Sequence, residues 1–418
     1  MPADIVIRNA KLRDGTATDI SIADGQYAAI GRGLAETGAL EIDADGHLTT
    51  ESFVIGQLHL DKVLTGDWLE ATAKEEYFDP AMGGTMTAIE LATIVKVRYD
   101  EADILTRINT ALTEAAFNGV SHIRAFIDVD SKTRLKGMHA ALKAREQWKG
   151  RIELQVVAFP QDGLPREPGA EELMWEAMEL GADLAGGIPW MEYTDEDAER
   201  HVDIAFEIAK KYDTDISMLV DDAGDAGLRT LEYLAVQTVK QGWQGRVVAC
   251  HARAMSQYNE VYHRKVVALL KQAEMGIVTN PHTAPLHIRV RDLANDGIVL
   301  GLGGESVNDA YYPFGRCNMI EAAFAAAHTL WMMSPPDQEL LYDMCTVNPA
   351  KLLRIPEHRI APGNAADCVI LQERTMREAF TTHASPRFVI RSGKLVCQST
   401  PSRREFAAGQ APSGPLAV

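Results

Sequence analysis

The sequence predicts a (β/α)8 barrel of the TIM type with a small β-sandwich formed from both chain ends. Short β-rich runs alternate with longer helical segments such as Glu101 to Phe117, where apolar residues recur at helical spacing. This alternation indicates a parallel sheet, and eight such units indicate a closed barrel. The predicted strands are Phe53 to Leu58, His122 to Asp128, Ile152 to Ala158, Ala182 to Gly187, Asp215 to Val220, Val247 to Cys250, Gly276 to Thr279 and Gly297 to Gly303.

Two flanking regions interrupt the barrel pattern. Residues 1–50 contain short strands separated by Gly and Asp turns, and residues 355–400 resume that pattern in the run Asp367 to Leu371. We therefore predict one sandwich from these two regions and a catalytic barrel from residues 51–354. The tail, residues 401–418, is rich in Pro, Ala, Gly and Ser and is predicted to be loosely ordered or to pack on another subunit.

The composition is that of an ordinary globular protein. The 418 residues are 46% hydrophobic, and the formal net charge of -18 disfavours a nucleic acid or an anionic membrane as a partner. No stretch approaches the ~20 apolar residues that cross a bilayer, and the first residues lack the pattern of an export signal. Five scattered cysteines without a CxxC pair argue against a disulfide framework and against a cysteine zinc site. We expect a soluble cytoplasmic protein that acts on a small molecule.

Polar residues gather where the predicted strands end. In this kind of barrel the active site lies at the C-terminal ends of the strands, whereas the rest of each strand is core. A histidine, a carboxylate or an amide follows five strands, and these are the groups that proton-transfer chemistry requires. The residues are Gln57, His59, Asp61 and Lys62 after the first strand, Gln161 after the third, Asp221 and Asp222 after the fifth, His251 after the sixth and Glu305 after the eighth.

Six ordered segments resemble those of a known family. They are Phe53 to Lys62, His122 to Asp130, Val156 to Gln161, Cys250 to Met255, Tyr312 to Gly315 and Pro362 to Asp367. Over nearly its whole length the chain resembles cytosine deaminase and the related N-isopropylammelide amidohydrolases of the amidohydrolase superfamily. The resemblance implies hydrolysis of a C–N bond in a small nitrogen heterocycle or cyclic amide. It also implies an assembly of two or more subunits.

The resemblance further implies one divalent metal, zinc or iron, held by an HxH pair, a fifth-strand histidine and an aspartate after the eighth strand. This chain has Gln57, Leu219 and Glu305 at three of these positions, and only His59 is unchanged. Leucine has no lone pair to donate, and a glutamine amide is a poor ligand compared with imidazole. Two outcomes stay open: a weak metal site of His59, Glu305, His251 and the Gln57 oxygen, or no metal.

The other matches suggest roles for further side chains. The resemblance implies that Asp222 takes the acid/base position, that His251 assists the attacking water and that Gln161 binds the substrate. Ser306 replaces an aspartate that contacts the substrate ring, and Phe126 replaces a histidine, which makes the pocket more apolar and favours raised carboxyl pKa values. We expect further ligand neighbours to be Gln57, Lys62, Trp68, Trp190, Asn280, His282, Asp309 and Tyr311.

Three functions fit this sequence, and we favour the first. It is a hydrolase or deaminase acting on a small heterocycle, with Asp222 and His251 as proton carriers. The second is a metal-free acid/base enzyme, an isomerase, lyase or cyclase, which the lost metal ligands favour because it needs no activated water. The third is a non-catalytic descendant that binds a heterocycle, and the ionisable groups kept at the strand ends argue against it.

Overall fold

A four-stranded sheet lies at each end of the described chain. The structure, a computed structural model, describes residues 3–69 and 95–400, so the predicted tail at residues 401–418 lies outside the described residues. The strands of the first half are β1 (Ala3–Lys11), β2 (Ala17–Ala23), β3 (Gln26–Gly31), β4 (Gly38–Asp43) and β5 (Thr49–Glu51). The first sheet has the order β3-β2-β1-β4 and is mixed, because β1 and β4 run parallel.

An eight-stranded parallel sheet follows. Its strands are β6 (Phe53–His59), β7 (Val120–Asp128), β8 (Glu153–Phe159), β9 (Leu184–Gly187), β10 (Asp215–Val220), β11 (Val247–His251), β12 (Gly276–Thr279) and β13 (Leu300–Leu302). They lie side by side in chain order, and a parallel bridge joins Leu58 to Glu305 after the last strand. The His59 amide donates to the Glu305 carbonyl at 2.8 Å and the Gly304 amide to the Gln57 carbonyl at 2.9 Å. The sheet therefore closes, which confirms the predicted (β/α)8 barrel.

Helices cover the barrel because each turns one apolar face inward. In the first of them Ile104, Ile108 and Leu112 recur at helical spacing and are buried, and the Asp100 carboxylate caps the first turn by accepting two backbone amides. The helices are α1 (Glu101–Phe117), α2 (Lys136–Trp148), α3 (Ala170–Leu180), α4 (Asp195–Tyr212), α5 (Thr230–Gln241), α6 (Glu260–Gln272), α7 (Val290–Asn295), α8 (Met319–Thr329), α9 (Pro335–Asp343), α10 (Val347–Leu352) and α11 (Met376–Thr382). Within the described ranges, none of them combines the length and the apolar character that crossing a membrane requires.

The last strands complete the sandwich. They are β14 (Cys368–Ile370), β15 (Phe388–Arg391) and β16 (Lys394–Gln398), and they form an antiparallel sheet in the order β16-β15-β14-β5. Ile7, Ile22 and Tyr27 of the first sheet pack with Cys368 and Ile390 of the second in one buried cluster. The two chain ends thus form the small sandwich predicted from the sequence, whereas the domain boundaries near residues 50 and 355 stay a prediction.

Candidate active site

His251, the last residue of β11, lies between two carboxyl groups. Its Nδ1 is 3.5 Å from an oxygen of Asp222, which follows β10, and its Nε2 is 3.4 Å from an oxygen of Glu305, which follows β13. All three side chains are buried. His251 and Glu305 have φ values of 67° and 55°, a left-handed conformation that turns the chain sharply and clusters at functional sites. The strand ends therefore bring together three predicted residues, which we call the acid/base trio.

Burial determines the protonation of the trio. It raises the pKa of Asp222 to about 6, although the charge of Arg253 lowers it, and it raises the pKa of Glu305 to about 8. Burial, with the charge of Arg253 acting in the same direction, holds the pKa of His251 well below its usual value. At neutral pH the imidazole is therefore uncharged, Glu305 is mostly a neutral acid and Asp222 is mostly a carboxylate. A proton donor and a proton acceptor lie on opposite sides of one ring.

Arg253 belongs to this site but was not predicted from the sequence. It lies in the turn that follows β11, and its guanidinium is 2.6 Å from an Asp222 oxygen and donates to the Thr283 hydroxyl at 2.8 Å. Arg253 is 6% exposed, so the ion pair with Asp222 is screened little by water. Its position two residues after His251 was the available signal.

Asn280, which follows β12, joins two of the positions at which the resemblance places metal ligands. Its side-chain nitrogen donates to Oε1 of Gln57 and to Oε2 of Glu305, both at 2.7 Å. Gly303 makes room for this bridge, because a Cβ there would collide with the Asn280 side chain. One amide group therefore fixes the first strand end relative to the eighth.

His59 lies among aromatic rings. Its ring centre is 5.4 Å from the centres of Phe159 and Tyr311 and 5.8 Å from that of Phe126. Leu219, at the position of the fifth-strand histidine, packs in the buried apolar cluster that contains these three side chains. The wall of the barrel mouth is thus apolar where the resemblance places metal ligands.

Lys62 places a buried positive charge beside His59. Its Nζ is 3.5 Å from the Nδ1 of His59, 2.6 Å from an oxygen of Asp128 and 5.5 Å above the centre of the Tyr311 ring. Burial lowers the pKa of Lys62, but Asp128 and Asp61 more than offset this, so its pKa is raised and the ammonium is kept. Burial first, and the charge of Lys62 second, hold the pKa of His59 well below its usual value. His59 is therefore a neutral ring at neutral pH.

The residues at the barrel mouth do not fit the divalent metal that the resemblance implies. Leu219 offers no donor atom, and the oxygens of Gln57 and Glu305 already accept the hydrogens of the Asn280 amide. The remaining donors, His59, His251, Glu305 and the Gln57 oxygen, contain fewer imidazoles than the implied set and a neutral amide oxygen, which is a poor ligand for zinc or iron.

A separate His and Asp cluster lies at the opposite end of the barrel. Across residues 3–69 and 95–400, His122, His358 and Asp367 are the one group of three or more His, Cys, Asp or Glu residues whose ligand atoms all lie within 4.8 Å of one another. Arg391 donates to Asp367 and lies 3.2 Å from the Nε2 of His122. A guanidinium thus occupies the place of a cation in this cluster.

Asp221 has a structural role, unlike its neighbour Asp222. Its carboxylate accepts from the amide and hydroxyl of Thr230, from the Leu231 amide and from the Tyr258 hydroxyl, at distances of 2.6 to 3.2 Å. These hydrogen bonds fix the start of α5 relative to the end of β10. Of the two adjacent carboxylates at this strand end, Asp222 is therefore the one that belongs to the acid/base trio.

Ser306 and Asp309 shape the loop after β13. The Ser306 hydroxyl donates to one oxygen of Asp309, and the other oxygen accepts the amides of Tyr311 and Tyr312 at 2.8 and 3.1 Å. Burial raises the pKa of Asp309 to about 6, although these hydrogen bonds lower it. The loop places the Tyr311 ring against His59. Direct contact of these residues with a substrate stays a prediction.

The remaining predicted neighbours differ in their surroundings. Gln161 and Trp190 are buried after β8 and β9, and within the described ranges the Gln161 Oε1 and the Trp190 Nε1 have no hydrogen-bond partner. Such atoms are uncommon in protein interiors and are available to a ligand. His282 packs edge-on against Tyr312 at 5.0 Å, and burial lowers its pKa to about 4. Trp68 packs against an arginine guanidinium at 5.1 Å.

The fold is a (β/α)8 barrel in which buried ionisable side chains gather at the C-terminal ends of the strands. Residues 46–397 match the amidohydrolase family, so the chain belongs to that family. It is accordingly a hydrolase acting on carbon–nitrogen bonds other than peptide bonds, as the sequence predicted.

Similar proteins cover nearly the whole chain. N-isopropylammelide isopropyl amidohydrolase from Pseudomonas sp. strain ADP is 29% identical over 94% of this chain and 97% of its own length. Pterin deaminase from Rhizobium rhizogenes is 26% identical over 93% of this chain and 90% of its own length. The crystal structure of 5-methylcytosine deaminase from Klebsiella pneumoniae with 5-fluorocytosine superposes with a TM-score of 0.88 at 28% identity, covering 96% of this chain and 99% of that one.

Proposed function

We propose that this protein hydrolyses the bond between a carbon of a small planar nitrogen heterocycle and an exocyclic nitrogen, and releases ammonia or an amine. The observation that carries the proposal is the position of His251 between Asp222 and Glu305, at 3.5 and 3.4 Å. Hydrolysis needs a group that takes a proton from water and a group that gives one to the leaving nitrogen. The acid/base trio supplies both in one buried place.

The proposed steps use the protonation states that burial favours. The Asp222 carboxylate accepts a proton from water, whose oxygen then attacks the ring carbon. Glu305, as the neutral acid, donates a proton to the nitrogen, and the bond between carbon and nitrogen breaks as the amine leaves. The second hydrogen of the water returns to Glu305 when the new carbonyl forms, and Asp222 passes its proton to the amine. His251 is a neutral ring between the two carboxyls, and its nitrogens, which have no hydrogen-bond partner among the described residues, are available to the water or the substrate.

The walls of the mouth suit a flat ring. Phe126, Phe159 and Tyr311 lie in one buried cluster with Trp190, and such side chains stack on planar heterocycles. The Gln161 oxygen, without a partner among the described residues, is available to accept a hydrogen bond from the ring edge. The names of the similar proteins agree with this class, since ammelides, pterins and cytosines are planar nitrogen heterocycles.

The proposed reaction uses no metal at the barrel mouth. The support is the Asn280 amide, which donates to the Gln57 and Glu305 oxygens, together with Leu219 in the apolar cluster. Elemental analysis of protein purified without added metal should find well under one equivalent of zinc or iron. The double variant Gln57→His with Leu219→His should bind zinc more tightly, because imidazole is the better ligand. Stoichiometric metal bound at the mouth of the wild-type protein would contradict the metal-free form of the proposal.

A second candidate is an isomerase, lyase or cyclase that uses the same trio. The replaced ligand positions favour it, because without a metal the water has to be activated by a carboxylate or a histidine alone. Incubation in ¹⁸O-labelled water separates the two functions. A hydrolase incorporates one label into its product, whereas an isomerase or a cyclase incorporates none.

The direct test is release of ammonia or amine from a panel of cytosine, 5-methylcytosine, pterin and N-isopropylammelide. We expect at least one compound to be turned over by the wild-type protein and none at a comparable rate by Asp222→Asn. Equal rates of release by the wild-type protein and by Asp222→Asn would indicate that a contaminating enzyme causes the activity. If no compound released ammonia or amine at substrate concentrations up to the millimolar range, the proposed substrate class would be wrong.

We also propose a cytoplasmic location and a homo-oligomeric assembly. The five cysteines are free, and four of them are buried, which suits a reducing compartment. Light scattering of the purified chain measures the assembly.

A further inference from the structure

A buried glutamate and histidine pair connects two loops of the barrel mouth. Glu192 follows the short helical turn Pro189–Met191 after β9, and His201 lies on the inner face of α4. Both side chains are fully buried, and the Nδ1 of His201 is 2.6 Å from an oxygen of Glu192. Neither residue belongs to the acid/base trio, and neither was singled out in the sequence.

The hydrogen bonds fix the tautomer of His201. The Ile188 amide donates to its Nε2 at 3.0 Å, so Nε2 is the acceptor. A neutral imidazole has one N–H, which therefore lies on Nδ1 and is donated to Glu192. Burial lowers the pKa of His201, although Glu192 raises it, so the ring is neutral near pH 7. His201 thus holds the first residue after β9 and the glutamate four residues later at the same time.

Glu192 extends the connection to the loop after β8. The oxygen that accepts from His201 also accepts the Leu164 amide at 2.7 Å, and the other oxygen accepts the Arg166 amide at 3.0 Å. Gly163 has a φ of 99°, and a Cβ there would lie 2.9 Å from the Glu192 carboxylate. The backbone of this loop therefore approaches the carboxylate as closely as a glycine allows. Charge-assisted bonds of this kind are stronger than neutral ones.

The two connected loops carry Gln161 and Trp190. Gln161 lies three residues before Leu164, and Trp190 lies two residues before Glu192. Gln161 and Trp190 each have a buried polar atom, Oε1 and Nε1, that lacks a partner in the described parts of the chain. Glu192 belongs to the loop after β9 and its carboxylate accepts two amides of the loop after β8, so a shift of this carboxylate disturbs both loops. The Arg166 guanidinium adds a second connection, because it donates to the Met191 carbonyl at 2.5 Å.

We propose that Glu192 and His201 are positioning residues that set the distance between Gln161 and Trp190 and so determine how tightly the heterocycle binds. The inference rests on the proposed function, in which these two side chains contact the substrate. It assigns the pair to binding and not to the proton transfers, because the pair makes no contact with the acid/base trio.

The test uses His201→Phe, which keeps the ring and removes both hydrogen bonds. We expect KM to rise by about tenfold or more, because a lost buried hydrogen bond costs about 1–3 kcal/mol, and kcat to stay within about threefold. His201→Gln keeps an amide oxygen that can accept from the Ile188 amide and should recover part of the affinity. A matched control is His263→Phe on α6, since the His263 ring is also buried and its nitrogens make no hydrogen bond with any described residue.

A second measurement needs no turnover. Hydrogen exchange followed by mass spectrometry should show faster exchange in the segments containing Leu164 and Ile188 in His201→Phe and in Glu192→Gln, but not in His263→Phe. If no compound of the panel is turned over, the dissociation constant of 5-fluorocytosine replaces KM, and the missing turnover counts against the proposed function alone.

The outcomes separate clearly. Faster exchange together with weaker binding supports the inference. Unchanged exchange, unchanged affinity, or a fall in kcat at constant KM would each overturn it. Failure of the wild-type protein to bind any compound of the panel would overturn it as well. A variant that fails to fold is replaced by His201→Gln, for which the same two readouts apply.

Discussion

Two histidines at the N-terminal end of the barrel, His122 and His358, differ in their hydrogen bonds from the buried His251 at the C-terminal end. At the N-terminal end each imidazole has a partner: the His122 ring lies 2.8 Å from the Ser121 hydroxyl, and the His358 ring donates to the Ser52 carbonyl at 2.8 Å. At the C-terminal end neither nitrogen of His251 makes a hydrogen bond with any residue that the structure describes.

Histidines with hydrogen-bond partners are typical of a structural cluster, whereas a buried histidine without them is typical of a ligand-binding site. Leaving a buried polar group without a partner costs about 1–3 kcal/mol, so folding alone disfavours it. The mouth nevertheless keeps several such atoms, including those of Gln57, Gln161 and Trp190. A ligand that supplies these missing hydrogen bonds gains binding free energy, because the buried groups are then no longer without partners. The two ends therefore respond differently to substitution.

The largest effect is expected for Glu305→Gln at the mouth. The amide cannot donate the proton that the proposed mechanism requires, so kcat/KM should fall on the order of 10²–10⁴-fold. The melting temperature should change little, because the amide still accepts from Asn280. Glu373→Gln is the matched control, since Glu373 is equally buried and lies outside the barrel mouth. Full activity of Glu305→Gln on the turned-over compound would remove Glu305 from the proton transfers.

At the opposite end the expected effect is on stability. Asp367→Asn breaks the buried pair with Arg391, and the free energy of unfolding should fall by about 3–5 kcal/mol. Urea titration followed by circular dichroism measures it, and kcat/KM at low temperature should stay within about threefold. Glu260→Gln, which breaks exposed ion pairs with Arg264 and Arg289, should change the free energy of unfolding far less. If Asp367→Asn lost catalysis but not stability, the N-terminal end of the barrel would have a functional role and not the structural one expected here.

A smaller effect is expected on the pH profile. Burial raises the pKa of Asp222 to about 6, and the carboxylate is the proposed base, so kcat/KM should fall as the pH drops through that value. Arg253 lowers this pKa, so Arg253→Met should move the acid limb upward by about one unit, equivalent to about 1.4 kcal/mol. An acid limb at the same pH in both proteins would show that another group controls it.

The fold followed from local patterns. Strand and helix alternation depends on residues close together in the chain, and for this reason α1 was predicted with its observed bounds, Glu101–Phe117. The positions of the strand ends also identified His251, Asp222 and Glu305 as neighbours before their distances were known.

The hydrogen-bond partners within the site could not be predicted in the same way. Asn280 and Gln57 are 223 residues apart, and their bridge depends on closure of the barrel, which places β6 and β12 on either side of β13. The different roles of Asp221 and Asp222 depend on a backbone turn of positive φ at Asp221 and not on residue type.

The barrel seam passes directly through the catalytic region. The sheet closes where Leu58 pairs with Glu305 and where the His59 amide donates to the Glu305 carbonyl, so the proposed proton donor also makes the backbone contacts between the first and last strands. A ligand that contacts both sides of this junction would hold the first and last strands together, and inhibitors of this protein should therefore raise its melting temperature by an amount that grows with the logarithm of their affinity.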